Sequence, residues 1–270
     1  MDYFRGYRTF RDDPEWSSKM FIGVLLALCS GFIPILPQIA LAGWGAMVVR
    51  RSAQGIVSPL PRLDFDFDYL GKLLNPGFKA FIVRLMWTLP ITFLLVSLGM
   101  CLYFGGIMMV VGGARAGDEA GGIAAAVCVG FAVLAMFPVT ILMMMPATIA
   151  ALRTELTDDL NEGMKFGEVL AMTKLMFKEL FIGSLLIGGV QMCLGILGMI
   201  LCYFPLFFVM WLGIYVQAMF QAELYRAYLA KGGKPFAKLA PTELPLPQAP
   251  QIPRPPQPPQ QLPPQAQGGW

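Results

Sequence analysis

The chain of 270 residues contains no histidine. That absence removes the side chain that titrates near neutral pH, the usual general base and the commonest metal ligand together. Charge is also scarce: Asp, Glu, Lys and Arg make up 14% of residues against 56% hydrophobic, too few to cover the surface of a soluble domain. The cysteines Cys29, Cys101, Cys128, Cys193 and Cys202 sit singly inside apolar runs, never as a C-x-x-C pair. They read as small packed hydrophobes rather than as a disulfide or metal framework. No Ser or Asp inside an apolar run has an evident base beside it, which leaves an intramembrane hydrolase without its parts. A net charge of +3 gives no case for nucleic acid. The expectation is a protein that is not an enzyme, with no catalytic, cofactor-binding or metal residues and no cofactor.

What is abundant is long apolar sequence. Five runs, at about 20–49, 78–111, 122–152, 180–202 and 205–228, each reach the roughly 20 residues that a helix needs to cross the hydrocarbon core. The fold class that follows is an all-α integral membrane protein of about five transmembrane helices, joined by interfacial amphipathic connectors. The first run is broken by Pro34 and Pro37 and is read as one kinked span, the alternative being a re-entrant hairpin. Residues 1–19 mix both charge signs with Tyr3, Phe4, Tyr7, Phe10 and Trp16, as a segment at the headgroup level does. That leader is too mixed in sign, and the run after it too long, for a cleaved signal peptide.

Between the first two runs, Arg50-Arg51 ends the apolar element, and the connector that follows holds Pro59, Pro61 and Pro76, so it is not expected to be one continuous helix. Asp64, Asp66 and Asp68 alternate there with Phe65, Phe67 and Tyr69. A calcium loop of this type needs Gly at its sixth position and Glu at its twelfth, where Tyr69 and Asn75 stand. Arg50, Arg51 and the three aspartates are therefore read as interfacial anchors. The segments 67–78 and 166–177 share Phe at both ends followed by Lys, which raises a two-copy internal repeat. From 231 the chain reads as a disordered tail, turning to Pro and Gln from Pro241 onward with polyproline-II character.

The strings Asp12-Asp13-Pro14-Glu15-Trp16, Phe21 to Leu26, Ile33-Pro34, Gly43-Trp44, Arg50-Arg51, Leu60-Pro61, Asp64 to Asp68, Gly77-Phe78-Lys79 and Leu89-Pro90 resemble the domain of unknown function 4013 family. Gly43-Trp44 stands where members commonly have Gly-Tyr. The resemblance covers about residues 10–230. It implies a prokaryotic multi-pass membrane protein and carries over no catalytic residue.

Lys and Arg gather in both connectors and after the last run, which puts those segments and the C-terminus in the cytoplasm, with the protein in the inner membrane. Five spans then leave the basic leader outside; a re-entrant first element would bring it in. Arg84 and Glu223 lie near membrane edges, where Arg84 can snorkel and Glu223 can pair with Arg226. Gln191, Gln217 and Gln221 are candidates for helix–helix contact or a polar path, the last two sharing a face at i, i+4. The expected partners are the lipid bilayer and a protein reached through the proline-rich tail, with self-association left open. The leading functional expectation is a non-enzymatic scaffold or assembly component, and the alternative is a small-solute transporter or lipid-handling protein.

Overall fold

Prolines and glycines set where this apolar chain turns and where its helices touch. The computed structural model describes residues 1–243 apart from Pro34, Val57, Pro59, 116–118, 202, 203 and 237. The proline-rich stretch beyond 243, residues 116–118 between the second and third apolar runs, and residues 202 and 203 near the junction of the last two lie outside the described residues. Every regular element described is helical: α1 (Arg5–Thr9) with a 3-10 turn after it, α2 (Trp16–Cys29), α3 (Leu36–Ala53), α4 (Phe67–Arg115), α5 (Glu119–Thr157), α6 (Leu160–Met164), α7 (Phe166–Leu175), α8 (Phe177–Ile200) and α9 (Phe204–Ala230).

The run at 20–49, read from sequence as one kinked span, is instead two helices. Pro37 stands in the first turn of α3, where its missing N–H costs nothing, and the chain after α2 turns at 30–33. Lys19, near the start of α2, donates to the Leu60 carbonyl beyond the end of α3, while Ser30 after α2 shares a cavity wall with Gln38 in the first turn of α3. The pair is therefore an antiparallel hairpin. At 14 and 18 residues its arms are about 21 and 27 Å long, shorter than the roughly 30 Å hydrocarbon core. Four other helical segments are long and apolar enough to cross a membrane: Phe67–Met108, Pro138–Thr157, Phe177–Ile200 and Pro205–Ala230. The protein is an all-α membrane protein with four such helices and one short hairpin among its described residues.

The hairpin is held by two contacts that only particular residues allow. Gly43 on α3 and Gly77 on α4 press backbone against backbone: a Cβ on Gly77 would overlap the Ile39 carbonyl oxygen, and one on Gly43 the Leu73 carbonyl oxygen. Beside this crossing, Trp44 stacks on Trp211 with ring centroids 5.8 Å apart, and Tyr215 closes the cluster. All three rings are fully buried, and Trp44 Nε1 donates to the Pro61 carbonyl at 3.3 Å. Helix α4 starts at Phe67 and runs through Pro76, so the last third of the expected connector is helical.

One face of the bundle collects the polar chain. Asp12 accepts from Ser58 Oγ at 3.2 Å, tying leader to first connector. Arg50 reaches Asp158 in the second connector at 2.9 Å. Lys231 pairs with Glu179 at 2.7 Å. The expected disordered tail from 231 is packed as far as 243: Phe236 stacks on Tyr225 at 5.0 Å, the Ala240 N–H donates to the Leu156 carbonyl, and Glu243 meets Arg51 at 2.7 Å. An aromatic slot and a backbone bond hold what composition alone reads as free chain. Away from this face, large apolar side chains of α4 (Phe93, Met100, Met108) and α8 (Met192, Ile196, Ile200) are exposed, as lipid contact requires. The repeat finds a shared feature and a difference: α4 and α7 both start at the matching Phe67 and Phe166, but α7 stops at Leu175 where α4 continues.

Two outcomes follow. Gly77→Val forces a branched side chain into the Ile39 backbone and costs about 3 kcal/mol, the upper end for overpacking because backbone cannot move aside; thermal unfolding in detergent reads the loss. In a cysteine-free background, single cysteines at Ser17 and at Ser58 label from the same side of the membrane; opposite sides would break the hairpin topology.

Candidate functional site

The hairpin, α4, α5 and α9 leave between them a cavity of about 440 Å³. Its wall is mostly apolar or small, with Leu41, Ala42, Gly45, Phe81 and Ile214 among the lining residues. Its polar groups are Ser30, Gln38, Arg84, Glu155, Gln217 and Gln221. Gln217 and Gln221 come together because they are one turn apart on α9, whose other faces are taken up by the tryptophan cluster and by α8.

Arg84 lies five residues, about 7.5 Å, further along α4 than Lys79, the cation that pairs with Asp158 on the polar face. From there its Nη2 donates to Glu155 Oε1 at 2.8 Å. Glu155 is 3% exposed, and its second carboxylate oxygen has no hydrogen-bond partner. Gln221 is 1% exposed, and its Nε2 is likewise without one. Each unsatisfied buried group costs about 1–3 kcal/mol, so these two atoms carry a polar demand that a bound molecule or water would meet.

The backbone of Glu155 is fixed from the polar face. Arg50, nearly fully buried, donates from Nε to the Glu155 carbonyl at 2.6 Å and from Nη2 to Asp158 at 2.9 Å. Asp158 has a φ of +58°, an uncommon left-handed conformation for a residue with a side chain, at the end of α5. Lys79 Nζ donates to both its carbonyl and its carboxylate. Arg153, one turn before Thr157, turns the other way to Glu162 and Glu168 and lies over the Phe236 ring.

The sequence candidates fall into separate places. Gln217 and Gln221 line the cavity, whereas Gln191 donates to the Tyr7 hydroxyl at 3.0 Å and lies against Gly213. Arg50 is a buried clamp, and Arg51 meets Glu243. Asp64 and Asp66 pair with Arg62, which also lies over Tyr69, and the Asp66 and Asp68 amides donate to Asp64 and Asp66 in turn. These carboxylates start α4 rather than converge, and among the described residues no group of three or more Asp, Glu or Cys is placed to hold a metal ion. Glu223 pairs with Arg226 at 2.7 Å and also with Arg5 of the leader.

Sequence reasoning missed Glu155, Asp13 and Lys19. Glu155 falls past the apolar run that ends at Leu152, in an amphipathic stretch of both charge signs, but α5 continues to Thr157 and Arg50 of the hairpin packs on it. Asp13 is buried against Lys19, at 2.9 Å. Burial opposes the charge of Asp13, but the Lys19 ammonium and the Leu60 and Glu15 amides hold its carboxyl below the ordinary value.

Residues 25–216 match the family described as protein of unknown function (DUF4013). The matched stretch holds Gln38, Arg84 and Glu155 and stops one residue short of Gln217. No curated protein and no solved structure matches the chain.

Removing the Arg50 side chain takes away the donor to the Glu155 carbonyl and leaves Asp158 with Lys79 alone. Arg50→Ala is expected to cost about 3 kcal/mol, the low end for a broken buried pair since Asp158 is one-third exposed, with Arg50→Lys in between. Denaturation of the purified protein in detergent measures both.

Proposed function

The chain belongs to the DUF4013 family, and we propose that it is a lipid-handling membrane protein whose cavity binds one amphiphilic molecule. One observation carries this: the cavity joins a mostly apolar wall to two lining residues, Glu155 and Gln221, that each hold a buried atom, Oε2 and Nε2, without a partner. Ligand sites have that composition, mostly apolar with a few placed polar groups. A chain would lie along Leu41, Ala42 and Ile214, and its headgroup would meet Arg84, Glu155 and Gln221. The role is binding and positioning rather than chemistry on the bound molecule. Lys19, Arg50, Arg51, Lys79, Arg153 and Lys231 share the polar face, which supports a cytoplasmic placement of both termini in a prokaryotic inner membrane.

A second reading, a scaffold or assembly component, is favoured by the docking of Phe236 and Glu243 along that same face. The proline-rich stretch would then leave from beside the connectors and reach a protein partner there.

Native mass spectrometry of protein extracted in mild detergent is expected to find one retained lipid-sized adduct per chain. Ala42→Trp, which fills the cavity, removes the adduct, and deleting residues 244–270 leaves it in place. An adduct that survives Ala42→Trp, or none in the unaltered chain, would sink the amphiphile reading.

A further inference from the structure

The charge balance of the cavity narrows what it can hold. Arg84 and Glu155 are already paired at 2.8 Å, so the polar end contains one cation and one anion that offset each other. What is left over is neutral in sum and specific in kind: a carboxylate oxygen, which only accepts a hydrogen bond, and an amide nitrogen, which only donates. An anionic headgroup would set its charge against Glu155 Oε2 with the neighbouring guanidinium already engaged. A cationic headgroup would displace Arg84 or face it. A hydroxyl group meets both demands, donating its proton to Glu155 Oε2 and accepting from a Gln221 Nε2 hydrogen. Both side chains line the same cavity and both are more than nine-tenths buried.

Resting on the amphiphile reading, we propose that the cavity selects a neutral, hydroxyl-bearing lipid, of the long-chain alcohol or acylglycerol class, over charged amphiphiles of equal chain length. Glu155 and Gln221 are the residues that read the hydroxyl, and Arg84, bonded to Glu155 Oε1, orients Glu155 for it.

Three probes with one eighteen-carbon chain separate the terms: oleyl alcohol, oleate and oleylamine, titrated into the full-length protein in nanodiscs of zwitterionic lipid. Oleyl alcohol is expected to bind saturably, with oleate and oleylamine weaker by about tenfold or more, the worth of a misplaced buried charge. Glu155→Gln leaves Arg84 without its anion, so that variant is expected to reverse the order and take oleate over the alcohol. Gln221→Leu, isosteric enough to leave packing intact, weakens the alcohol by about tenfold while changing oleate little. Equal or tighter binding of oleate by the unaltered chain, blocked by Ala42→Trp, overturns the selectivity and leaves the amphiphile reading standing. Absence of saturable binding by all three overturns both. Should Glu155→Gln not fold, the order among the three probes in the unaltered chain and the Gln221→Leu result still decide.

Discussion

The Arg50 guanidinium is the point on which the arrangement turns. It sits where α3 ends against the end of α5, joins the Glu155 carbonyl to the half-buried Asp158 carboxylate, and is itself nearly fully buried. A charge so placed is costly unless every donor is used, so it tolerates few geometries and holds the hairpin in register with α5. Asp158 is the other half of the device: its left-handed backbone ends α5, and Lys79 fixes it from α4. Three helices thus meet through one carboxylate. The backbone contact of Gly43 with Gly77 and the Trp44–Trp211 stack can form only because the hairpin is brought to that depth and angle.

The class of the protein could be read from the sequence, and its site could not. Apolar runs report solvent directly, since a helix that must lie in hydrocarbon has no polar alternative. The positions of Gln217 and Gln221 were also readable, because i, i+4 spacing on a helix is geometry rather than context. Burial of a charge is different in kind. Glu155 and Arg84 are 71 residues apart, and nothing near either in the sequence announces the other. Glu155 lies three residues past the point where the apolar run ends, in a stretch of mixed charge that reads as solvated surface. Only the hairpin, packed over it from a hundred residues earlier, makes it interior.

The same lesson explains the first apolar run. A length of about 30 residues with two prolines fits either a kinked span or a hairpin, and hydropathy cannot separate them. What separates them is long-range: Lys19 bonds to Leu60 and Ser58 to Asp12, so the two ends of the run lie on one face. This also removes the conflict over the basic leader, which a single span would have placed on the side opposite the other cations. The segment after α9 is a similar case. Phe236 is the one aromatic residue between 231 and 243, and its slot is built from Tyr225, Tyr228 and Arg153, parts that only the folded bundle assembles.

This bundle buries charge: Asp13, Lys19, Arg50, Arg153 and Glu155 are all interior. Most of these are matched pairs or clamps on carbonyl groups, which serve the register of helices. Glu155 is not fully matched. Its backbone is held by Arg50 and one oxygen by Arg84, while the other oxygen is buried without a partner on a residue that lines the cavity. A structural ion pair has no use for that leftover acceptor, and Gln221 adds an unused donor to the same cavity from a different helix. Two complementary demands from two elements, beside an apolar wall, are what the proposed amphiphile would meet, and this is why the proposal rests on the cavity rather than on the charged face.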